Sequence, residues 1–156
     1  MPNLVTVAQS DSTNDGTGAS KRMEPPQVNN VADDAIFIKV TQSLSNTSDV
    51  SAIHVTKPSG YVSLPDEGVQ KAGLRSWLFY KKSTGLNEPI PAVMSDTSAR
   101  WTCTTAVVTD VDWDNGGVAQ SDSNTGNGDL KSPDLTTHSI GEASVIVCFY
   151  SLERRN

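Results

Sequence analysis

At 156 residues the chain has room for one domain. Its formal net charge is −6, from 12 Lys and Arg against 18 Asp and Glu, and the basic residues are scattered; the close sets are Lys21-Arg22, Lys81-Lys82 and Arg154-Arg155. That balance argues against nucleic acid and against an anionic membrane as partners, and the chain has no apolar run of about eighteen residues that would read as a membrane span.

The first segment, 1–30, is mostly Ser, Thr, Asn, Asp, Gly, Gln and Pro, with Leu4, Val5, Val7, Met23 and Val28 as its sizeable apolar groups. Such a composition buries too little apolar surface to offset the entropy of ordering. Residues 1–34 therefore read as an extended N-terminal arm that needs a partner outside itself. It lacks a basic stretch followed by an apolar one, so no secretory signal is expected and the initial Met reads as that of the primary product. Residues 35–156 read as the folded domain.

Within that domain Ser, Thr and Val dominate, and short strand-like runs alternate with turn residues, the pattern of a sandwich or barrel. The first core strand is expected at 35–44, where Ile36, Ile38 and Val40 alternate with Phe37 and Lys39. Strands are expected next at 49–56 and, briefly, at 61–64, with Lys57-Pro58-Ser59-Gly60 as the turn between them. The best candidate for a helical period is 66–74, which carries two glycines. A central strand follows at 74–81 with Trp77, Phe79 and Tyr80, then a weaker one at 90–94, demoted to an edge by Pro89 and Pro91. A long strand is expected at 99–111, with Trp101, Cys103 and Thr105 on one face. The last strand is expected at 143–152, whose nearly continuous apolar run VIVCFY suggests burial on both faces. Between these two lies a long polar loop, 112–140, and a loop of that length is usually functional or disordered. The expected fold is all-β: an antiparallel β-sandwich or jelly-roll-like barrel with an extended N-terminal arm.

Chemistry-bearing residues are few. Asp110, Asp112 and Asp114 alternate before Asn115-Gly116-Gly117, which resembles the opening of a calcium loop. The sixth position is Asn115 where an EF-hand has Gly, and the twelfth is Ser121 where it has the bidentate Glu. Asp122, Asn124, Asn127 and Asp129 are further oxygen donors. The competing reading is a strand end running into a solvated turn, so no cofactor is required and calcium is the one candidate. His54 and His138 have no nucleophile motif beside them. Cys103 and Cys148 read as buried thiols; a disulfide between them needs adjacent strands and an oxidising compartment. No zinc spacing and no phosphate loop is present, and the expectation is that the chain is not an enzyme. Asn46-Thr47-Ser48 matches a glycosylation acceptor, a triplet common by chance. Trp77 and Trp101 are expected in the core. Trp113, between two acids, is expected to be exposed or interfacial and suited to anchoring a partner.

The final run, from Gly141 through VIVCFY to Leu152, resembles the last strand of small viral jelly-roll coat proteins, and the polar arm and chain size are similar in style. Coat proteins that package RNA have strongly basic arms; here Lys21 and Arg22 stand against Asp11, Asp15 and Glu24. The chain is therefore more similar to the cement or decoration proteins of tailed phages. That resemblance implies an accessory capsid protein of the virion, assembled in the host cytoplasm, with partners among other capsid subunits: copies of itself, the major capsid protein, or both. Leu4, Val5 and Val7 would be the arm's anchors. The alternative is a carbohydrate-binding β-sandwich, calcium-assisted, using Trp113 and the acidic loop.

Overall fold

The computed structural model describes residues 3–11, 20–43, 53–64, 69–71 and 74–114. These form eight strands and, among the described residues, no helix: β1 Asn3–Asp11, β2 Ser20–Met23, β3 Ala35–Ser43, β4 Val55–Thr56, β5 Val62–Ser63, β6 Val69–Lys71, β7 Leu74–Lys82 and β8 Val93–Thr109. Every pairing is antiparallel. The chain is all-β, with a sandwich-like core.

β8 belongs to two sheets. Its C-terminal part lies between β1 and β3, and the larger sheet continues through β7 to β5 and β6. Its N-terminal part pairs with β2 and β4. Met23, Ile53 and Val93 from the smaller sheet and its flanks meet Ile36, Ile38, Val40, Trp77, Phe79 and Cys103 of the larger one in a single buried cluster. The register explains the rows: Ile38 stands between Phe79 and Thr105, and Val40 between Trp77 and Cys103.

The opposite face of the larger sheet is also buried. Ala35, Phe37, Leu64, Ala106 and Val108 form a second cluster, with Leu78, Tyr80, Val111 and Trp113 packed on it. The alternation along β3 thus separates two covered faces, and Lys39 is caught on the second at 8% exposure. Desolvation lowers its pKa to about 8.

Several expected elements are revised. The strands expected at 90–94 and 99–111 are one strand, β8, running through the polar stretch Ser95, Asp96, Thr97 and Ser98. Tertiary partners override its composition: the Asp96 amide and the Ser95 hydroxyl both donate to the His54 carbonyl, and the His54 amide donates to Asp96 Oδ1 at 3.0 Å. β8 stops at Thr109, before Asp110 turns to φ 56°. Within the candidate helical period at 66–74, the described residues are strand: β6 pairs back on β7, with Lys71 opposite Leu74. At the expected Lys57–Gly60 turn, the Tyr61 amide donates to the Pro58 carbonyl and Gly60 takes φ 80°, which suits glycine. Of the strand expected at 49–56, Val55–Thr56 is found; 49–52 and the strand at 143–152 lie outside the described residues, as does the polar loop beyond Asp114.

The arm expected at 1–34 divides differently. Asn3–Asp11 and Ser20–Met23 are strands on β8 of the same chain, Met23 is wholly buried, and Val28 is 8% exposed in the main cluster. Residues 20–34 are part of the folded body.

Lys39 makes stability depend on alkaline pH. The unfolded chain keeps the proton up to about 10.4, and the native state releases it at about 8. Between those values the unfolded state binds more protons, so stability rises with pH. Urea midpoints should show a gain of up to about 2 kcal/mol between pH 7.5 and 10, relative to a Lys39→Met variant that is already stabilised at neutral pH.

Candidate partner-binding edge

β1 occupies the outer edge of the larger sheet, and among the described residues it pairs on one side only. Leu4 stands opposite Val108 and Val7 opposite Ala106, with a register shift between Leu4 and Thr6 that takes in Val5. Val7 is 59% exposed, Thr6 is exposed and Ala8 half-buried. β1 carries no Lys, Arg or internal Pro, and of the devices that guard an open strand edge it has the register shift at Val5 and the acid Asp11 at its end. β7, by contrast, has its far edge covered by β5 and β6.

Trp113 lies away from this edge, at the end of the sheet where β3 begins and β7 ends. It packs on the second cluster, to which Ala106 and Val108 also belong. The side chain is half-buried, its Nε1 donates to the Asp33 carbonyl at 2.6 Å, and the Lys82 ammonium sits 5.5 Å from the ring centroid. Lys82 in turn pairs with Asp33 at 2.7 Å. The indole therefore ties the segment after β8 to the turn before β3.

Asp110, Asp112 and Asp114 are all exposed, and among the described residues no three His, Cys, Asp or Glu side chains come together to hold a metal ion. Asp122, Asn124, Asn127, Asp129, His138 and Cys148 lie outside the described residues. His54 is exposed, and its amide holds the Asp96 carboxyl below its ordinary range. Cys103 is fully buried, and desolvation, aided by the charge of Glu24, pushes its thiol up to about 12. A thiol kept protonated in this way is a packing group and a poor nucleophile.

The residues that fasten the N-terminal segment to the body are amides, which an inventory of apolar groups overlooks. Gln27 holds Ile90 from both sides, donating to its carbonyl at 2.7 Å and accepting from its amide at 2.9 Å, in the manner of a strand neighbour. Asn30 is 2% exposed. Its Nδ2 donates to the carbonyls of Val28 and Glu88, and its Oδ1 accepts from the Ser83 hydroxyl and the Glu88 amide, all within 3.1 Å. Lys81 pairs with Glu88, whose carboxyl also accepts from the Thr84 amide and hydroxyl. The Lys81 hydrogen bond is the largest cause holding the Glu88 pKa down. Beside this cluster, Asn29, Val31, Asp34, Leu86, Asn87 and Thr109 help line an open depression, with Leu86 77% exposed.

Replacing Asn30 by Ala leaves several buried partners without a bond, at about 1–3 kcal/mol for each group. Urea unfolding of Asn30→Ala should show a loss of about 2–4 kcal/mol. Asn29→Ala, at an exposed neighbour, should stay within about 0.5 kcal/mol of the parent.

Comparison of the chain with protein-family models, with curated proteins and with solved structures gives no match.

Proposed function

We propose that the chain is a structural component of a protein assembly, an accessory cement or decoration protein of a viral shell, and that β1 is the element through which it grips a neighbour. The observation that carries this reading is the edge position of β1: nine residues, paired on one side among the described residues, with Val7 standing out to solvent. An exposed strand edge accepts or donates a strand, with affinity from main-chain bonds and specificity from alternate side chains. Leu4, Val5 and Val7 are the side chains that would give that specificity. A rigid sandwich body tethered to such a strand gains avidity on a repetitive surface, since each contact raises the effective concentration of the next.

The viral setting comes from the resemblance of 141–152 to the last strand of viral jelly-roll proteins. The acidic balance of the chain fits contact with protein more than with nucleic acid. Trp113, with its N–H engaged and Lys82 over its ring, offers little of the free aromatic platform that the carbohydrate-binding reading requires.

The test is association with shells. A truncation must stop before Ser20, because Met23, Val28 and Asn30 belong to the body. The full chain is expected to sediment with purified shells of the virus that carries this sequence. A chain lacking residues 1–11 is expected to fold, with a cooperative melt, and to remain in the supernatant. A full chain that stays in the supernatant, or a truncated one that pellets as well as its parent, would contradict the reading.

A further inference from the structure

We propose that the apolar run at 143–152 is the cover of the second face of the larger sheet, laid over β3 and β8 of its own chain. The inference goes beyond the assembly reading and does not rest on it.

The first observation is a covered face with no second layer among the described residues. All members of the second cluster come from β3, β7 and β8 or from residues just past a strand end, Leu64, Val111 and Trp113. Trp113, held at the Asp33 carbonyl, shelters the end where β3 begins. Lys39 stands four residues beyond Ala35, about 13 Å along the strand, and is only 8% exposed. A lysine on an uncovered sheet face keeps its ammonium in water, so a further layer lies over it. Burial is the cause of its lowered pKa, which fits a cover that brings no carboxylate.

The pattern of burial outlines that layer. On this face Ala35, Phe37 and Lys39 of β3 and Ala106 and Val108 of β8 are buried, while Leu78 and Tyr80 of β7 are half-buried. Val7, opposite Ala106 on β1, is exposed. The cover is therefore centred on two strands, about 5 Å apart, and does not reach β1. Along β3 it gives out at Thr41 and Ser43, which are half-buried. A strip this narrow, about 13 Å long, is the footprint of one extended segment, and six residues in that conformation span about 17–20 Å.

Composition selects the segment. Outside the described residues, 1–2, 12–19, 44–52, 65–68 and 72–73 carry Met1, Leu44 and Val50 as their large apolar groups. In 115–142 Val118, Leu130, Leu135 and Ile140 stand singly among polar residues. The run at 143–152 has six consecutive apolar residues, VIVCFY, and no charged one, so burying it against this face is strongly favourable. The described chain leaves from this face, since Asp114 follows Trp113. Residues 115–142 are long enough to return to it, and the tether favours the chain's own segment over that of another copy.

The test is methyl NOE spectroscopy on the full chain, with Ala, Ile, Leu and Val methyls labelled. Expected are cross-peaks joining Val145, Ile146 or Val147 to Ala106, Val108 or Leu78. An isotope-filtered spectrum of labelled chains mixed with unlabelled ones should show none of them between copies. Phe37→Leu, which removes a ring from this face and keeps its bulk, should shift the methyl signals of 145–147 and leave those of Leu130 and Leu135 in place. Cross-peaks to Ala106 and Val108 from Leu130, Leu135 or Ile140 in place of 145–147 would overturn the proposal. So would a 143–152 run with no contact to this face, or one whose contacts appear only between copies.

Discussion

β8 carries partners on both of its edges at either end. Met94 stands opposite Arg22 of β2 and Thr56 of β4, and residues from Thr102 to Val108 lie between β1 and β3. A strand paired on both sides satisfies its own amides and carbonyls and fixes the height and register of each neighbour. Because β8 passes from the smaller sheet to the larger, it also sets the two sheets against each other, which encloses the cluster around Phe79, Ile38 and Met23. β7 is placed one step removed, through its full-length ladder with β3.

The second constraint is polar. The approach to β3 has few apolar groups, yet it is held in place by side-chain amides that act as substitute strand neighbours. Gln27 engages both backbone groups of Ile90, and Asn30 closes four bonds in a site almost sealed from water. These bonds bring the 83–90 segment against the turn at Asp33, which Ser83 and Asp34 also join through their backbones. Lys82, Asp33 and Trp113 extend the same junction to the segment after β8. The chain between β1 and β3 therefore changes character near Ser20, from an edge strand with Thr6 and Val7 exposed and Ala8 packed on the main cluster to a segment locked into the core.

Much of the central sheet could be read from the residues. Alternating β-branched and aromatic groups in β3 and β7, and around Cys103 in β8, are a direct signal of strands, and the rows they form match the register found. Other features were hidden for physical reasons. Ser95 to Ser98 look like a loop because their strand character comes from His54, which is distant in sequence. Residues 20–34 look like an arm because composition measures apolar area and does not see an amide replacing a backbone partner. Phe37 and Lys39 share a face that single-strand periodicity would leave in water, and only the second cluster shows that it is covered. Trp113 between two acids suggests an exposed anchor, whereas its N–H is spent on Asp33. The edge position of β1 had no sequence signal beyond Leu4, Val5 and Val7, since edge and centre differ only in what lies beside them.

The division near Ser20 and the central place of β8 are tested most directly by native-state hydrogen exchange. Amides of β3, β7 and β8, together with those that Gln27 and Asn30 hold, should exchange through global unfolding, while β1 amides should exchange faster through local opening. Protection of β1 equal to that of β3, or residues 20–34 exchanging as fast as β1, would contradict the account.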